Sequence, residues 1–496
     1  MNRLPSPKCA RRVLVALAVM ASVVLIVGCG SSGLIHSLGG GFSKSSLKGQ
    51  YVISQTGIGV NQPGTGVNPF SETIVFTADG SGNVTVTVDD FDQVGGPFNL
   101  TSSETGTYSV ASDGTGSLSF GGSNYAITMI DDNHFYIIEQ DFFATASGFG
   151  EKQDTTAFTA APSGSFVFKG HEVDTSSRVG GITITGGAIA GTEDFLSLTS
   201  LSSNMPITTS VSMTAPDATN GRGTFTLTDG SSFNYYVVNS GKFYMMSNSS
   251  SGSLEIGQAE MQTGGPFSAA TLAAGGSYVF GSSGDTNVSG AAGIHSAGVF
   301  TTDGNGNITA GAVDYVQDTT VNSNLAVSGG TYTLASNGRG TINLTLAGGT
   351  ISPQIFWMVN GSRAYFLVNS TAAVEDGTFS QQQGAPFTAL SSQAAFVMDG
   401  FDVAFKDRVG LFKPTSSGFN WNQAANSFDT SIFPPVATLT SLPTNGTYQV
   451  SANGRVTVTV NNVTPSLVFY LSSANTGFMV EEDADIGGAF SQQASQ

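Results

Sequence analysis

The sequence has little cysteine and little charge. Its 496 residues include only two cysteines, Cys9 and Cys29, and 10% charged residues, against about 25% in ordinary globular domains. So few thiols exclude a disulfide-rich scaffold and a cysteine-rich metal site. The four histidines are far apart in sequence, which excludes the closely spaced histidine pair of a helix- or strand-borne zinc site.

Basic residues are also scarce. Lys and Arg number 17 against 35 Asp and Glu, so the formal net charge is −18. A chain of this charge repels phosphate backbones, and no nucleic-acid partner is expected. The sequence contains no phosphate-binding loop, dinucleotide fingerprint or serine nucleophile elbow. We therefore expect no cofactor and no enzymatic activity.

Glycine, in contrast, is abundant, and the chain repeats itself. The 64 glycines are almost twice the usual share of about 7%. Four units open with a small residue and an aromatic, namely Tyr51, Phe166, Tyr278 and Phe396. A unit of about 115 residues, which is the spacing of these aromatics, is large enough to bury its own core. The predicted repeats are residues 46–153, 154–262, 263–383 and 384–496.

Each unit alternates apolar and hydroxyl-bearing residues, as in the run from Val84 to Val88 and the run from Val456 to Val460. Period two is typical of half-buried antiparallel strands, and Asn-Gly or Asp-Gly pairs between the runs are typical of tight hairpins. We expect an all-β fold with about eight strands per unit. In the third unit these lie near 277–281, 294–302, 306–315, 329–336, 340–347, 350–359, 363–369 and 376–382. Such a meander closes most simply into an up-and-down barrel, and a two-sheet sandwich is the alternative.

The N-terminus has the pattern of an export signal. Basic residues precede an uncharged apolar run from Val13 to Val27, which is the length of a signal-peptide core. The ending Ile26-Val27-Gly28-Cys29 resembles the lipobox of bacterial lipoproteins. The resemblance implies that residues 1–28 are removed and that Cys29 carries lipid. It also implies that the protein is held at the outer membrane by this anchor, with residues 29–45 as a Gly/Ser-rich tether.

Two further resemblances concern the body of the chain. The units are similar to avidin-like and lipocalin-like barrels in strand count and order only. The segments Phe76-Thr77-Ala78-Asp79-Gly80 and Phe300-Thr301-Thr302-Asp303-Gly304 resemble a set of secreted bacterial repeat lipoproteins with an "FTADGxGN" pattern. That second resemblance implies no particular activity.

An acid followed by an aromatic recurs at the end of the third strand. The pairs are Asp90-Phe91, Asp194-Phe195 and Asp314-Tyr315. They mark either the rim of a binding site or an acid that bonds backbone amides at a barrel end.

The sixth and seventh strands are apolar on both faces, as around Trp357. One face lines the core, so the other must be covered by a neighbouring unit, another chain or a ligand. Packing between units is the favoured interpretation, and a binding surface that includes Trp357 is the alternative.

A calcium loop is a weaker possibility. Asp303, Asn305 and Asn307, and likewise Asp79 in the first unit, are spaced like calcium ligands. An EF-hand loop requires glycine at its sixth position, where Ile308 and Val84 stand. A hairpin turn is therefore the favoured interpretation, and no metal is expected.

These features predict an exported, lipid-anchored β-repeat protein with a non-enzymatic structural or surface-interaction role, facing an unidentified glycan or protein partner. The alternative is a module that binds a glycan or a small apolar ligand in its barrel interiors or on the surface of the sixth and seventh strands. A hydrolase whose carboxylates are not recognisable from sequence is the third hypothesis.

Overall fold

The computed structural model describes most of the chain after the N-terminal forty residues. The described ranges are 41–60, 67–93, 97–100, 103–141, 144–172, 175–248, 253–286, 293–317, 320–347, 349–370, 373–401, 405–416, 418–429, 436–460, 463–482 and 485–494. The predicted signal segment and Cys29 lie outside them. Within these ranges, no helix has the length and apolar character needed to cross a membrane.

The first two barrels contain strands β1 to β17. In the first barrel these are β1 (Lys48–Val60), β2 (Val67–Asp79), β3 (Asn83–Gln93), β4 (Phe98–Leu100), β5 (Glu104–Val110), β6 (Thr115–Phe120), β7 (Ser123–Met129), β8 (His134–Gln140) and β9 (Ala144–Lys152). In the second they are β10 (Gly164–Glu172), β11 (Ser176–Thr185), β12 (Ala188–Ser197), β13 (Ser200–Val211), β14 (Arg222–Leu227), β15 (Ser232–Asn239), β16 (Lys242–Ser247) and β17 (Glu255–Met261).

The last two barrels contain strands β18 to β34. The third has β18 (Ser277–Thr286), β19 (Gly293–Thr302), β20 (Asn307–Gln317), β21 (Thr320–Leu334), β22 (Arg339–Leu346), β23 (Gly349–Thr350), β24 (Gln354–Asn360), β25 (Arg363–Val368) and β26 (Ala373–Gln381). The fourth has β27 (Ala394–Phe401), β28 (Phe405–Pro414), β29 (Phe419–Asp429), β30 (Val436–Val450), β31 (Arg455–Val460), β32 (Val463–Ser473), β33 (Thr476–Glu481) and β34 (Asp485–Gln492).

All four units are closed, antiparallel, up-and-down barrels of eight strands, which confirms the predicted fold class. In each, neighbouring strands pair in chain order and the last strand pairs with the first. The short strands β4 and β23 pair only with β3 and β22, outside the ring of eight. Closure satisfies every strand edge, which an open sandwich of this meander would leave exposed.

Register corrects one sequence assignment. Tyr51, Phe166 and Tyr278 each pair with the end of the last strand of their barrel, and in the fourth barrel this position is Ala394, not Phe396. Phe412, the strand partner of Ala394, is one of the aromatic side chains that pack in the fourth core. The predicted motif was therefore displaced by two residues.

Another difference is the length of β21, which starts at Thr320 and not near 329. Its first part is mostly exposed and interrupted by Asn324 with φ of 51°. Polar residues in an irregular strand give no period-two pattern, so the sequence does not reveal this segment.

Aromatic and aliphatic side chains fill the barrel interiors, and a junction segment plugs one end of each. The plugging residues are Phe42 and Leu47, Phe158, Phe267 and Leu272, and Phe387 and Leu390. Two tyrosines bond to this plug, since the hydroxyls of Tyr108 and Tyr332 donate to the carbonyl oxygens of Lys44 and Ala269 at 2.7 and 2.9 Å. The segment before the first strand of a barrel therefore closes one end of it.

The four barrels pack head to tail in a closed ring. At three interfaces, the first strands of one barrel pack on the sixth and seventh strands of the next barrel. At the fourth interface, the first strands of the last barrel pack in the same way on the sixth and seventh strands of the first barrel. The apolar side chains of these interfaces include Val52 with Tyr236, Val167 with Trp357, Val279 with Tyr470, and Leu411 with Ile138. The second apolar face of the sixth and seventh strands is thus covered by a neighbouring barrel, as the packing interpretation expected.

A glutamine after the last strand of each barrel joins it to the next. Its side-chain amide donates to two backbone carbonyls of the following barrel, one in a glycine turn and one on the sixth strand or its equivalent. The glutamines are Gln153, Gln262, Gln382 and Gln493, and their shorter bonds, of 2.6 to 2.8 Å, go to Val237, Met358, Leu471 and Met129. We call these contacts the glutamine joints. Gln493 forms the joint that closes the ring.

The turn glycine leaves room for the glutamine. Gly114 has φ of 90°, and a Cβ built there would lie 2.6 Å from Nε2 of Gln493. Any side chain at this position would both strain the backbone and displace the amide.

Gln493→Leu should weaken closure of the ring. The substitution removes the side-chain donor to the carbonyl of Met129, one of two donors to the carbonyl of Asp113, and the acceptor of the Gln393 amide, which costs about 1–3 kcal/mol for buried groups. Urea denaturation of the full chain should show this loss, whereas Gln492→Leu at the neighbouring exposed position should change the free energy of unfolding by less than about 0.5 kcal/mol. Equal effects of the two substitutions would contradict the joint.

Candidate functional site

The recurring acids lie between barrels, where each binds an arginine of the next barrel. In the best buried case, the carboxylate of Asp314 accepts from Nε and Nη2 of Arg455 at 2.8 and 2.6 Å and also from the hydroxyl of Tyr470. The arginine follows the glycine of the same turn that receives the glutamine joint. The other two pairs are Asp90 with Arg222 and Asp194 with Arg339.

Each acid also has partners beyond the arginine. Asp194 accepts from the indole of Trp357 at 2.9 Å, and Asp314 accepts from the backbone amide of Asn324 at 2.7 Å. Removing one member of such a buried pair costs roughly 3–5 kcal/mol because the other charge is left unpaired. Asp194, Asp314 and Trp357 therefore hold the ring together, and the acid does bond a backbone amide as one sequence interpretation proposed.

The interface between the fourth and first barrels has no such pair among the described residues. Ala424 takes the register position of the acids, and Thr115 takes the turn position of the arginines. Asn426 instead donates to the carbonyl oxygens of Glu139 and Ala144 at 2.9 and 3.0 Å. The acid and its arginine are thus absent together, as expected if each is needed only by the other.

The aromatic members of the pairs lie in different surroundings. Phe91 packs against Phe70 with ring centroids 5.0 Å apart, and Phe195 lies 5.1 Å from the guanidinium carbon of Arg178. Tyr315 is half-buried and lines a cavity in the third barrel. The three residues do not form one rim.

The Asp-Gly loops are hairpin turns. Asp79 Oδ1 accepts from the backbone amides of Ser81 and Asn83, and Asp303 Oδ1 accepts from those of Asn305 and Asn307. The hydrogen bond from the side-chain amide of Asn83, followed by those from the backbone amides, lowers the pKa of Asp79 to about 2. Within the described ranges, no three His, Cys, Asp or Glu side chains are grouped to hold a metal ion.

The ring encloses a cavity on its axis, the central cavity, to which all four barrels contribute. Its larger compartment has a volume of about 610 Å³ and an adjoining one of about 130 Å³. Register explains the meeting point, because the same position of each first strand faces the axis. The four residues are Thr56, His171, Ser283 and Asp399.

The larger compartment is lined by ion pairs between barrels. Glu151 of the first barrel binds Lys242 of the second at 2.5 Å and faces Nε2 of His134 at 3.6 Å. Burial alone would raise the pKa of Glu151, but His134 and Lys242 lower it to about 2. Hydrogen bonds to Asp131 and Glu151 raise the pKa of His134 to about 9, so this imidazole is charged at neutral pH.

A second ion-pair group joins the second and third barrels. Asp376 binds Lys169 at 3.2 Å and Nδ1 of His171 at 2.9 Å. Burial opposes ionisation, yet the charge of Lys169 and the bond from His171 hold the pKa of Asp376 well below its usual range. Arg363 lies nearby and binds Glu260 at 2.7 Å.

The smaller compartment is acidic and poorly compensated. Burial raises the pKa of Asp399 to about 6, although the charge of His171 lowers it. Burial also raises the pKa of Asp407 to about 8, although hydrogen bonds from Thr145 and Ser147 oppose this. Burial lowers the pKa of His295 to about 4, so that imidazole is neutral. The central cavity therefore has a salt-bridged end and an acidic end.

Charged, amide and hydroxyl groups around a space of this size can bind a polar ligand. The site could not be found from sequence, because its residues come from thirteen strands separated by up to several hundred positions. One signal was present: three of the four histidines line this cavity, although they are far apart in the chain.

Comparison with known proteins adds little. No protein-family model and no curated protein matches the chain. Solved structures of transferrin binding protein B show limited similarity. Intact Ap-TbpB, with its N and C lobes, matches at a TM-score of 0.20 with 8% identity, covering 67% of this chain and 76% of that one.

Two more structures are of the same kind. Isotype 1 TbpB from serogroup B Neisseria meningitidis has a TM-score of 0.21 and 9% identity, with 68% of this chain and 77% of that chain covered. A TbpB double mutant from Haemophilus parasuis Hp5 has a TM-score of 0.15 and 7% identity, with 90% and 76% covered. All three TM-scores are low, and the proposals below depend on the residues of this chain alone.

Asp407→Asn should change how stability depends on pH. An acid whose folded pKa is raised contributes stability below its unfolded pKa near 4, and this is lost as pH rises through the folded value, here about 8. The variant should therefore match the native protein at pH 4 and exceed it by more than about 1 kcal/mol at pH 9 in urea denaturation. Asp303→Asn, at an exposed turn acid whose pKa is lowered, should give no gain at pH 9. If the native protein remains as stable as Asp407→Asn up to pH 9, Asp407 is not buried in its neutral form.

Proposed function

We propose that this chain is an exported lipoprotein of the outer membrane whose ring of barrels has a non-enzymatic surface-interaction role. Lipid on Cys29 anchors it, and the Gly/Ser-rich residues 29–40 connect the anchor to the first barrel. Residues 41–45, which the sequence assigned to this tether, belong to the first barrel, where Phe42 is part of the plug. A Gly/Ser-rich segment of about twelve residues spans roughly 17–21 Å, by roughly 5–6 Å × √n. The ring then faces its partner at a short distance from the membrane.

The N-terminal sequence supports the anchor. Ile26-Val27-Gly28 precedes Cys29 after an apolar run with basic residues before it. Each buried methylene of an attached lipid contributes roughly 0.8 kcal/mol, so two or three acyl chains hold a protein firmly. Gly30, and not Asp, follows Cys29, which in the lipoprotein pattern directs a protein to the outer membrane.

The closed ring is the observation that carries the interaction role. Asp90, Asp194 and Asp314, the acids that recur in the sequence, are each bound by an arginine of the next barrel. Acids held in this way stabilise one rigid arrangement of the barrels and are not available for proton transfer. A rigid platform loses little conformational entropy when it binds, which favours recognition of a partner.

Replacing Cys29 tests the anchor. The full chain, expressed in a bacterium with a palmitate analogue, should incorporate the label, and Cys29→Ser should abolish this and release the protein from the outer-membrane fraction. Cys9→Ser is the matched control and should leave labelling unchanged, because that residue lies in the removed segment. Labelling that survives Cys29→Ser, or processing insensitive to globomycin, would refute the lipoprotein assignment.

A second candidate function is glycan binding in the central cavity. The volume of about 610 Å³ and the polar lining favour a hydrated ligand over an apolar one. Gln258, Lys169 and Arg363 offer hydrogen-bond donors, and Glu151 and Asp376 offer acceptors. The surface of the sixth and seventh strands is covered by neighbouring barrels, so the cavity replaces it as the candidate site.

A glycan array probed with the full-length protein in detergent tests this candidate. Ser283 is exposed to both compartments, so Ser283→Trp should reduce binding of any captured glycan at least tenfold by filling the space. Ser328→Trp, on the outer surface of the same barrel, should have no effect. No captured glycan, or equal binding by both variants, would reject the site. Recovery of cleaved glycan would revive the hydrolase hypothesis, with Asp399 and Asp407 as its first candidates.

A further inference from the structure

The third barrel has an internal cavity at the end opposite its plug. Its volume is about 280 Å³, compared with roughly 150 Å³ for a protein cavity that holds benzene. One wall is apolar and includes Phe280, Val313, Leu346 and Val368. Polar residues lie at the other wall and at the mouth, where Ser352 and Ser370 are partly exposed. The equivalent space in the second barrel is only about 20 Å³.

An arginine fills the second barrel at this place. Arg178 points into the interior, where its Nη1 lies 3.3 Å from Glu193 and its Nε lies 3.0 Å from Glu255. The ring of Phe195 lies 5.1 Å from the guanidinium carbon, within the distance of a cation–π contact. The guanidinium of Arg178, between two acids and an aromatic ring, thus fills this part of the interior of the second barrel.

The third barrel keeps the surroundings of that arginine but not the arginine. Strand pairing places Glu375 at the position of Glu255, and Tyr315 at the position of Phe195. Ser296 stands at the position of Arg178. The acid and the ring are therefore present, and the space of the guanidinium is open.

Among the described residues of this barrel, hydroxyl groups are the side chains that donate hydrogen bonds to this acid. Ser282 and Ser296 both donate to Oε1 of Glu375, at 2.5 and 2.9 Å. Burial raises the pKa of Glu375, and these hydrogen bonds lower it only in part. A bound cation would favour the ionised carboxylate.

A second difference between the third and second barrels enlarges the cavity and adds a hydrogen-bond acceptor. Gln354 stands at the register position of Phe233 in the second barrel, where the aromatic side chain fills the interior. Gln354 is 3% exposed and lines the cavity, and its Oε1 has no hydrogen-bond partner among the residues that the structure describes. A buried acceptor without a partner costs about 1–3 kcal/mol, and a ligand donor would remove this cost.

We propose that the third barrel binds a small organic cation, an amine or guanidine with an apolar body, whose charged head occupies the place that the guanidinium of Arg178 has in the second barrel. Glu375 and the carbonyl of Gln354 accept its hydrogen bonds, and the ring of Tyr315 contacts the cation. The apolar wall receives the body. The described residues that line this cavity include no Lys, Arg or His, so an anion would meet no positive charge from them.

Calorimetry on the full-length protein in detergent tests the site with four probes of similar shape. Phenethylammonium and benzamidinium should bind. Phenethyl alcohol should bind at least tenfold more weakly, and benzoate should not bind. Failure of both cations to bind at millimolar concentration would overturn the proposal, as would equal binding of the neutral and cationic probes.

Three variants locate the binding. Ser296→Arg installs the arginine of the second barrel and should abolish binding, and Glu375→Gln should weaken it at least tenfold. Ser328→Arg, on the outer surface of the same barrel, adds the same charge and should leave binding unchanged. If Ser296→Arg does not fold, Gln354→Phe, which also copies the second barrel, should reduce the affinity instead. Binding that survives Glu375→Gln and whichever filling variant folds would overturn the site. This result is independent of the anchor and of the central cavity.

Discussion

Each barrel has an apolar stripe on its outer surface that another barrel must cover, and the rest of the structure follows from this constraint. The stripe of the sixth and seventh strands meets the first strands of the preceding barrel. A head-to-tail contact of this kind generates either an open filament or a closed ring, according to the rotation between units. Here four units close within one chain, so no stripe is left exposed at either end.

Closure explains why polar residues recur between barrels. A glutamine joint donates to two backbone carbonyls of the next barrel, one in a glycine turn and one on the sixth strand, and the nearby Asp–Arg pair is hydrogen-bonded on several sides. Such groups add little stability compared with apolar packing, but they cost much when mismatched, so they fix one relative orientation. The axis of the ring is then a defined place, where the same register position holds a threonine, a histidine, a serine and an aspartate. The repeated fold thus places the same position of each barrel at the cavity, and the residues at that position differ in their chemistry.

Local features of the fold were predictable because they depend on neighbours in sequence. The alternation of apolar and hydroxyl-bearing residues predicted the strands, and the Asn-Gly and Asp-Gly pairs predicted the hairpins. The two-sided apolar strands implied a cover. Packing between barrels was the favoured cover, but the polar pairs within the interfaces were not predictable: Asp314 and Arg455 are 141 positions apart, and nothing local pairs them. Likewise Gln382 and Gln383 are adjacent, and only register decides that Gln382 reaches Leu471.

Register also separates structural polar groups from those open to a ligand. The arginine at Arg178 has a counterpart in the fourth barrel, where Arg408 binds Glu481 at 2.8 Å. In these two barrels the charge of the arginine is neutralised by acids of the same barrel. In the third barrel the same position is a serine, although the acid opposite remains. A buried acid without its cation is costly, and the difference between sibling barrels shows that the fold does not require it. The repeats can therefore be compared with one another. A position that a side chain fills in one barrel and leaves open in another is a position where a ligand can bind without a change of fold.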